Sequence, residues 1–310
     1  MNKFEIKLSV IVVHLGSDKL LVDFLESLYN SNLPFNFETI IVDNNSNSNN
    51  LNQFVHLYEN CKILHLNKRL GYSESTNKGI SESKGEYILW CNNDLLFQRS
   101  SIFYLVDFLD NNLSYAIASP CLLNEDKSLQ PCYSLYNLNL FTLIFKLTGF
   151  NELYHQNTMD IKVAPGACCL IRKNALDCIG GKLDINYFMY CEEFDLSYNL
   201  LKNGNKIKYI GRSEIIHIGG KTTKKTSINF LIQSYKSKLT YLRKNKGMVQ
   251  FLFFYIYLIT KFSLKSFYFS ITSLFYKKHS NACLLNKNIY KVLFKKNIFN
   301  SANLIKYYND

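Results

Sequence analysis

Leu89–Phe97 reads LWCNNDLLF, an apolar run broken by Asn92-Asn93-Asp94 and then resumed. Two readings are open. Asn and Asp are common turn residues, because their short side chains bond to nearby backbone. A carboxylate at the end of a buried strand can also hold a divalent metal against a phosphate. Mg²⁺ keeps several waters and needs only one or two carboxylates. Further on, YFMYCEEFDL (Tyr187–Leu196) places Glu192, Glu193 and Asp195 at a helix start. Acids in a first turn complement the helix dipole. Adjacent acids beside an aromatic run also gain proton affinity, which suits a general base. Lastly, His217 stands between Ile216 and Ile218. A lone His in an apolar strand is ordinarily structural, and becomes a metal-ligand candidate if the fold brings it to Asp94.

These residues need elements to position them. Leu8–His14 (LSVIVVH) is continuously apolar and β-branched, as expected of a strand buried on both faces. Asp18–Asn30 has apolar residues at 20, 21, 24, 25 and 28, a helical spacing. Strands follow at Phe37–Val42, Cys61–Leu66 and Glu86–Cys91. Helices are expected around Leu51–Tyr58 and at Tyr72–Ser83. This alternation predicts an α/β protein with a mostly parallel central sheet flanked by helices. Ligands of such sheets bind at the carboxyl ends of the strands. Here those ends carry His14, Asp43, Asn67 and the Asn92-Asn93-Asp94 triplet. Downstream, Val163–Arg172, Lys206–Ile210 and Glu214–Ile218 read as strands. A helix starts near Glu192 and stops at Asn203-Gly204, a C-terminal cap signal.

Composition excludes several classes. At 310 residues and 47% hydrophobic, the chain is long and apolar enough to bury a sizeable core. Nine Cys occur without a C-x-x-C, mostly in apolar runs. They read as reduced core thiols of a cytosolic protein, not a zinc site or disulfide frame. No cleavage-site pattern follows the N-terminal apolar run, so no signal peptide is expected. The net charge of +12 is uneven: residues 221–310 hold 17 of the 36 Lys and Arg and one acid, Asp310. A mildly acidic body thus carries a strongly basic tail.

Six segments together resemble family 2 inverting glycosyltransferases of the GT-A fold, in the bacterial rhamnosyltransferase-like branch. They are SVIVVH, IIVDNNS, NKRLGYSESTNKGI, GEYILWCNNDLLF, VAPGACCLIRKNAL and GGKLDINYFMYCEEFDLSYNLLKNGNKIKYIGRSEIIHIGGKTT. Their order and spacing carry the resemblance, which runs from Leu8 to about Thr223. It implies that Asp43 contacts the nucleoside, with His14 and Asn45 in the same nucleotide-sugar site. Asn77 matches an Asn that approaches the nucleotide. Asn92-Asn93-Asp94 resembles the family's D-x-D variant, with Asp94 binding Mg or Mn. Glu193 matches the general base, with Glu192 beside it. His217 matches the His that closes the site near the diphosphate and ligates metal in some relatives. The implied reaction moves rhamnose or a hexose from a nucleotide-diphosphate donor to a hydroxyl of a growing, lipid-linked surface glycan. Its logic resembles inverting glycoside hydrolysis with an alcohol replacing water.

This sequence departs from the family in places. His14-Leu15-Gly16 replaces a Thr-Tyr-Asn-like turn, and Ser73-Glu74-Ser75-Thr76 stands where small residues are usual. Glu193 replaces a commoner Asp, and Asn199 a frequent basic residue. Competing readings fare worse. His217–Thr222 lacks the first Gly of a P-loop, since residue 215 is Ile. No G-x-G-x-x-G follows the first strand, which argues against a dinucleotide enzyme. A sugar nucleotidyltransferase would want a Gly-rich basic loop there. A non-enzymatic nucleotide- or nucleic-acid-binding protein leaves the ordered carboxylates unexplained. The expected organisation is a catalytic domain over 1–223, with halves of about 1–98 and 99–223. A basic, aromatic-rich helical region follows over 224–310. Met248–Thr260 is uncharged, and Lys261 and Lys265 follow one turn apart. That segment is expected either to join the core or to lie in the membrane surface at the inner face of the cell membrane.

Overall fold

A computed structural model describes residues 5–46, 51–150, 157–219, 228–272, 284 and 286–291. In chain order the first half runs β1 (Leu8–His14), α1 (Asp18–Tyr29), β2 (Phe37–Asp43), α2 (Leu51–Val55), β3 (Cys61–His65), α3 (Tyr72–Ser81), β4 (Tyr87–Asn92), β5 (Leu95–Phe97), α4 (Ser101–Asn111) and β6 (Tyr115–Leu123). The second half runs α5 (Leu140–Phe145), β7 (Thr158–Asp160), β8 (Cys168–Arg172), α6 (Lys173–Asp177), α7 (Glu192–Lys202), β9 (Lys206–His217), α8 (Ile228–Asn245) and α9 (Met248–Thr272).

All seven residues of β1 are buried. That is why it reads as an unbroken apolar run: both its faces are covered. α1 instead buries one stripe, Leu20, Leu21, Phe24, Leu25 and Leu28. Each such aliphatic or aromatic side chain contributes about 1.5–3 kcal/mol on burial. The strands form one sheet in the order β3-β2-β1-β4-β8-β6-β9-β5, with β7 on β9. β3, β2, β1 and β4 run parallel, as do β6 and β9. β8 lies antiparallel between β4 and β6. β5 and β7 pair antiparallel with β9.

Register decides what meets at the carboxyl edge. His14 is level with Asp43, Asp43 with His65, and Val13 with Asn92. β5 turns back and pairs Leu95 with His217.

Chain contacts divide the molecule into two units. The first is Met1–Asn137, Leu147–Ile185 and Glu192–Thr223, and contains the whole sheet. The second is Leu138–Lys146, Asn186–Cys191 and Lys224–Asp310. It includes α5 and the short segment before Glu192 as well as the basic tail. Within it, α8 and α9 are joined by Lys246-Gly247, with Gly247 at φ +87°. A left-handed residue after a helix end is where glycine is favoured, because it has no Cβ to clash. Tyr235 of α8 meets Phe262 of α9 edge-on, with ring centroids 5.3 Å apart. The Leu140 N–H donates to Gln250 Oε1 at 3.0 Å, tying α5 to α9.

Three elements differ from the expectation. Val163–Arg172 is a strand only from Cys168. Pro165 lacks an N–H and Gly166 lacks a side chain, so the residues before it form a loop. Lys206–Ile210 and Glu214–Ile218 are one strand, β9, whose pairing with β6 jumps from Ile210 to Glu214 at a bulge. The extra residues are absorbed without ending the strand. α9 is a single 25-residue helix that continues through Lys261 and Lys265 to Thr272. Residues 47–50, the stretch from Gly220 to Thr223 and the apolar segment beyond Thr272 lie outside the described residues.

Candidate active site

The carboxyl edge of the parallel strands gathers polar groups in a connected row. At the outer end, Asp43 Oδ2 lies 2.9 Å from His65 Nδ1, and its Oδ1 accepts from the Ser46 N–H at 2.8 Å. Burial works against the charge, but the bonds from Ser46 and His65 outweigh it and hold Asp43 below the usual carboxylate range. The next strand end, His14, is buried. Asn93 Nδ2 donates to its Nδ1 at 3.1 Å, so its Nε2–H points to Asp18 Oδ1 at 3.2 Å. Burial pushes the His14 imidazole down, which keeps it neutral. Asn44 clamps the loop above by a reciprocal pair with the backbone of Leu70, at 2.9 and 2.7 Å.

Asn92 accepts from the Tyr72 hydroxyl at 2.8 Å. Tyr72 leads α3 and lies against Trp90. Its hydroxyl is pushed well above the phenol range, first by burial, then by Cys91 and Glu192, with Asp94 adding to the effect. Tyr72 thus lies within electrostatic reach of both the triplet and the start of α7.

The Asp94 and His217 pair is built by the β5–β9 ladder. Ile218 N–H donates to Asp94 O at 3.0 Å, and the side chains meet with His217 Nε2 3.2 Å from Asp94 Oδ1. Which ring nitrogen carries the proton follows from Gln130. Its Nε2 donates to Asn124 Oδ1 and to the His217 carbonyl, both at 2.8 Å. Its Oε1 therefore faces His217 Nδ1, at 2.9 Å, and accepts from it. In the tautomer with its proton on Nδ1, His217 presents the Nε2 lone pair to Asp94 Oδ1. That oxygen is buried and has no hydrogen-bond donor. Two lone pairs facing at this distance need a cation or a proton between them. Neighbouring ligands of one octahedral ion with bonds of ~2.1 Å lie roughly 3 Å apart, so the pair fits Mg²⁺ or Mn²⁺. Orientation of a metal-binding His through its second nitrogen is a common arrangement. Among the described residues no group of three or more His, Cys, Asp and Glu is arranged to hold a metal ion. A two-residue set suits an ion that completes its shell with water and phosphate.

The paired acids of α7 have different surroundings. Glu192 is 6% exposed, and its Oε2 has no hydrogen-bond partner. Burial, then the neighbouring Glu193 charge, raises its proton affinity well above the carboxylate range. Glu193 is half-buried and faces Gly166, where an added Cβ would lie 3.5 Å from Glu193 Oε2. The glycine leaves the carboxylate room against the loop before β8. The residues leading into α7 are strained. Tyr190 and Cys191 have φ of 70° and 68°. Two consecutive non-glycine residues there cost about 1–3 kcal/mol each, and such strain clusters at functional sites.

Two further expected site residues have these places. Asn77 spends both ends of its amide on the backbone of Leu183, at 2.8 Å each way. It tethers the loop after α6. Asn45 sits exposed in the loop after β2 in a left-handed turn, φ 55°. Sequence reasoning missed His65, Tyr72 and Gln130. His65 had a signal, since it ends a strand beside Asp43. Gln130 had none, because it lies 87 residues from His217 in an irregular segment.

A parallel β3-β2-β1-β4 block, an Asn-Asn-Asp triplet at the end of β4, a reversed β8 and an acid-led α7 define the GT-A architecture of glycosyltransferases. Solved structures agree on the fold. Staphylococcus aureus TarS 1–349 in complex with UDP-GlcNAc aligns with a TM-score of 0.55 at 16% identity, covering 77% of this chain and 67% of that one. The mannosyltransferase PcManGT from Pyrobaculum calidifontis, in complex with GDP-Man and Mn2+, aligns with a TM-score of 0.58 at 12% identity, covering 99% and 80%. Residues 9–180 match the family model of glycosyl transferase family 2, and the chain belongs to that family, in its rhamnosyltransferase-like branch. One relative is the N-acetylglucosaminyl-diphospho-decaprenol L-rhamnosyltransferase of Mycobacterium tuberculosis. It is 24% identical over 226 residues, which is 66% of this chain and 73% of the relative. Another, rhamnosyltransferase WbbL of Escherichia coli K12, is 24% identical over 225 residues, 67% and 82% of the two chains. Glycosyl transfer is therefore the role of the chain, in preference to nucleotidyl transfer or plain nucleic-acid binding.

Proposed function

We propose that the chain is an inverting, metal-assisted transferase acting on a lipid-linked glycan. It moves rhamnose or a hexose from a nucleotide-diphosphate donor to an acceptor hydroxyl. The observation that carries the metal-assisted part is the facing pair of His217 Nε2 and Asp94 Oδ1, with the His217 tautomer set by Gln130. Asp94 and His217 would hold Mg²⁺ or Mn²⁺, which supplies Lewis-acid stabilisation of a departing diphosphate. Asp43, with His65 and Asn45 beside it, receives the nucleoside. His14, Asn92 and Asn93 fix the edge on which the diphosphate rests. Glu193 takes the proton of the acceptor hydroxyl as that oxygen attacks the anomeric carbon from the opposite face. Glu192, buried and protonated, adds no second negative charge beside it. The lipid-linked acceptor is suggested by the name of the mycobacterial relative. The test is a screen of nucleotide sugars with Mn²⁺ or Mg²⁺, reading release of the nucleotide diphosphate. dTDP-rhamnose is the first donor to try, then UDP-hexoses and UDP-galactofuranose. Release with none of them, in the presence of lipid-linked acceptors, contradicts the reading.

Attachment to the inner face of the cell membrane belongs to the same proposal. α9 is the one helix among the described residues that is long and apolar enough to cross a bilayer by length and composition. It buries only Phe251, Phe254, Leu258 and Phe262. Val249, Leu252, Phe253, Ile256, Leu264, Phe267, Tyr268 and Ile271 are exposed. Their spacing of three and four residues makes one apolar stripe. A helix with one face committed to protein and the other bare is suited to lying in the interface. Each nearby Lys or Arg adds about 1 kcal/mol against an anionic leaflet. In liposome co-sedimentation, full-length protein is expected to bind anionic vesicles and to be released by salt, whereas protein truncated after Lys225 is not bound. Equal binding of both forms, or of neither, removes the membrane role. Insoluble truncated protein assigns the segment to the core.

A further inference from the structure

Within the second unit, one face of α8 is committed to the short segment that leads into α7. Ser237 is buried, and its hydroxyl donates to the Met189 carbonyl at 2.7 Å. Gln233 is also buried. Its Nε2 donates to Ser237 Oγ at 3.0 Å and reaches the same carbonyl at 3.4 Å. Lys244 stands over the ring of the buried Tyr187, with Nζ 6.0 Å from the centroid. Residues 233, 237 and 244 are spaced by one and two helical turns, so they share a face. Two buried donors thus converge on one backbone carbonyl. Burial penalises such groups unless their bonds are made. The Gln233 amide is held by its donor end, since its Oε1 lies buried without a partner.

Met189 is followed by Tyr190 and Cys191, at φ 70° and 68°, and then by Glu192 and Glu193. Non-glycine residues stay in that region only where their surroundings over-determine them. The gripped carbonyl belongs to the peptide plane on one side of the Tyr190 φ rotation, so the grip restrains that rotation directly. Relaxing either residue to the extended or helical region turns the chain that follows by more than about 100°. Glu192 and Glu193 are the next residues to be redirected. We propose that Ser237 and Gln233 are positioning residues for the acids of α7. Their grip keeps Tyr190 and Cys191 left-handed and so sets the direction in which Glu193 meets an acceptor hydroxyl. The C-terminal region then takes part in the transfer itself, besides its membrane role. The inference rests on the transferase reading, in which Glu193 is the base.

Steady-state kinetics and hydrogen exchange on the full chain test it. Ser237→Ala should lower kcat by about 5- to 10-fold, the worth of one hydrogen bond expressed as a rate. The KM for the donor should stay unchanged. Gln233→Met removes the second donor together with the orphaned Oε1. It should melt no lower than wild type and still lower kcat by about 3-fold. Glycine adopts positive φ without strain, so in a Cys191→Gly background the loss from Ser237→Ala should shrink to about 2-fold. Amides of residues 190–194 should exchange faster in Ser237→Ala, while those of β1 keep their rate. An unchanged kcat, a donor KM that rises in step with the loss, or a loss of the same size in the Cys191→Gly background overturns the proposal. Unchanged exchange at residues 190–194 overturns it without any turnover. Faster exchange there with no donor ever turned over leaves the grip standing and fails the transferase reading.

Discussion

Asp94→Ala is expected to lower turnover by roughly 10³-fold or more, because it removes the one carboxylate of the proposed two-residue metal site. The residue lies just past the end of β4, and its side chain pairs with His217. Removing it deletes no apolar contact of the sheet, so the melting temperature should change little. The activity that remains should no longer respond to added Mn²⁺ or to a chelator. Turnover and thermal unfolding on the same preparation separate this outcome from simple misfolding. A variant that keeps near-wild-type, chelator-resistant activity shows that the metal assignment is wrong.

Glu193→Gln keeps the shape of the side chain and loses its basicity. Transfer should fall by at least ~10²-fold, the lower end for a positioned base, while donor affinity is retained. Glu192→Gln makes the contrast. Burial raises the proton affinity of Glu192, so its amide analogue should keep most of the transfer activity. The sign of its effect on stability follows from linkage. The folded pKa lies above the unfolded value of about 4.3, so folding takes up a proton. The stability tied to that proton is complete below the unfolded pKa and is lost as pH rises toward the folded one. Glu192→Gln should therefore match wild type in acid and become the more stable protein as pH rises. If instead Glu192→Gln abolishes transfer and Glu193→Gln does not, the roles of the two acids are reversed.

The parts of the fold that were legible were those with strong local periodicity. β1 is buried on both faces and α1 on one stripe, and each pattern appears directly in the residue order. The acids of α7 were visible for the same reason, because they begin a helix with a clear stop at Asn203-Gly204. What sequence could not supply was register. Whether His217 meets Asp94 depends on β5, a three-residue strand whose turn back onto β9 has no local signature. The tautomer of His217 depends on Gln130, which reaches it only through the folded chain. Asn77 shows the converse problem. Only the resemblance pointed to it, and no local pattern showed that from α3 it closes a 106-residue separation to Leu183. The difference between Glu192 and Glu193 was also hidden, since adjacent residues share a composition but not a solvent exposure.

The anomeric configuration of the transferred sugar tests the central claim most directly. One purified preparation, one accepted donor and one acceptor are sufficient, with the product analysed by NMR. Direct displacement assisted by a single base, Glu193, inverts the anomeric carbon, so the new linkage should be opposite in configuration to the donor's bond to diphosphate. A product that keeps the donor's configuration would require a second displacement, and would contradict the assignment of Glu193 as the base of a single-step transfer.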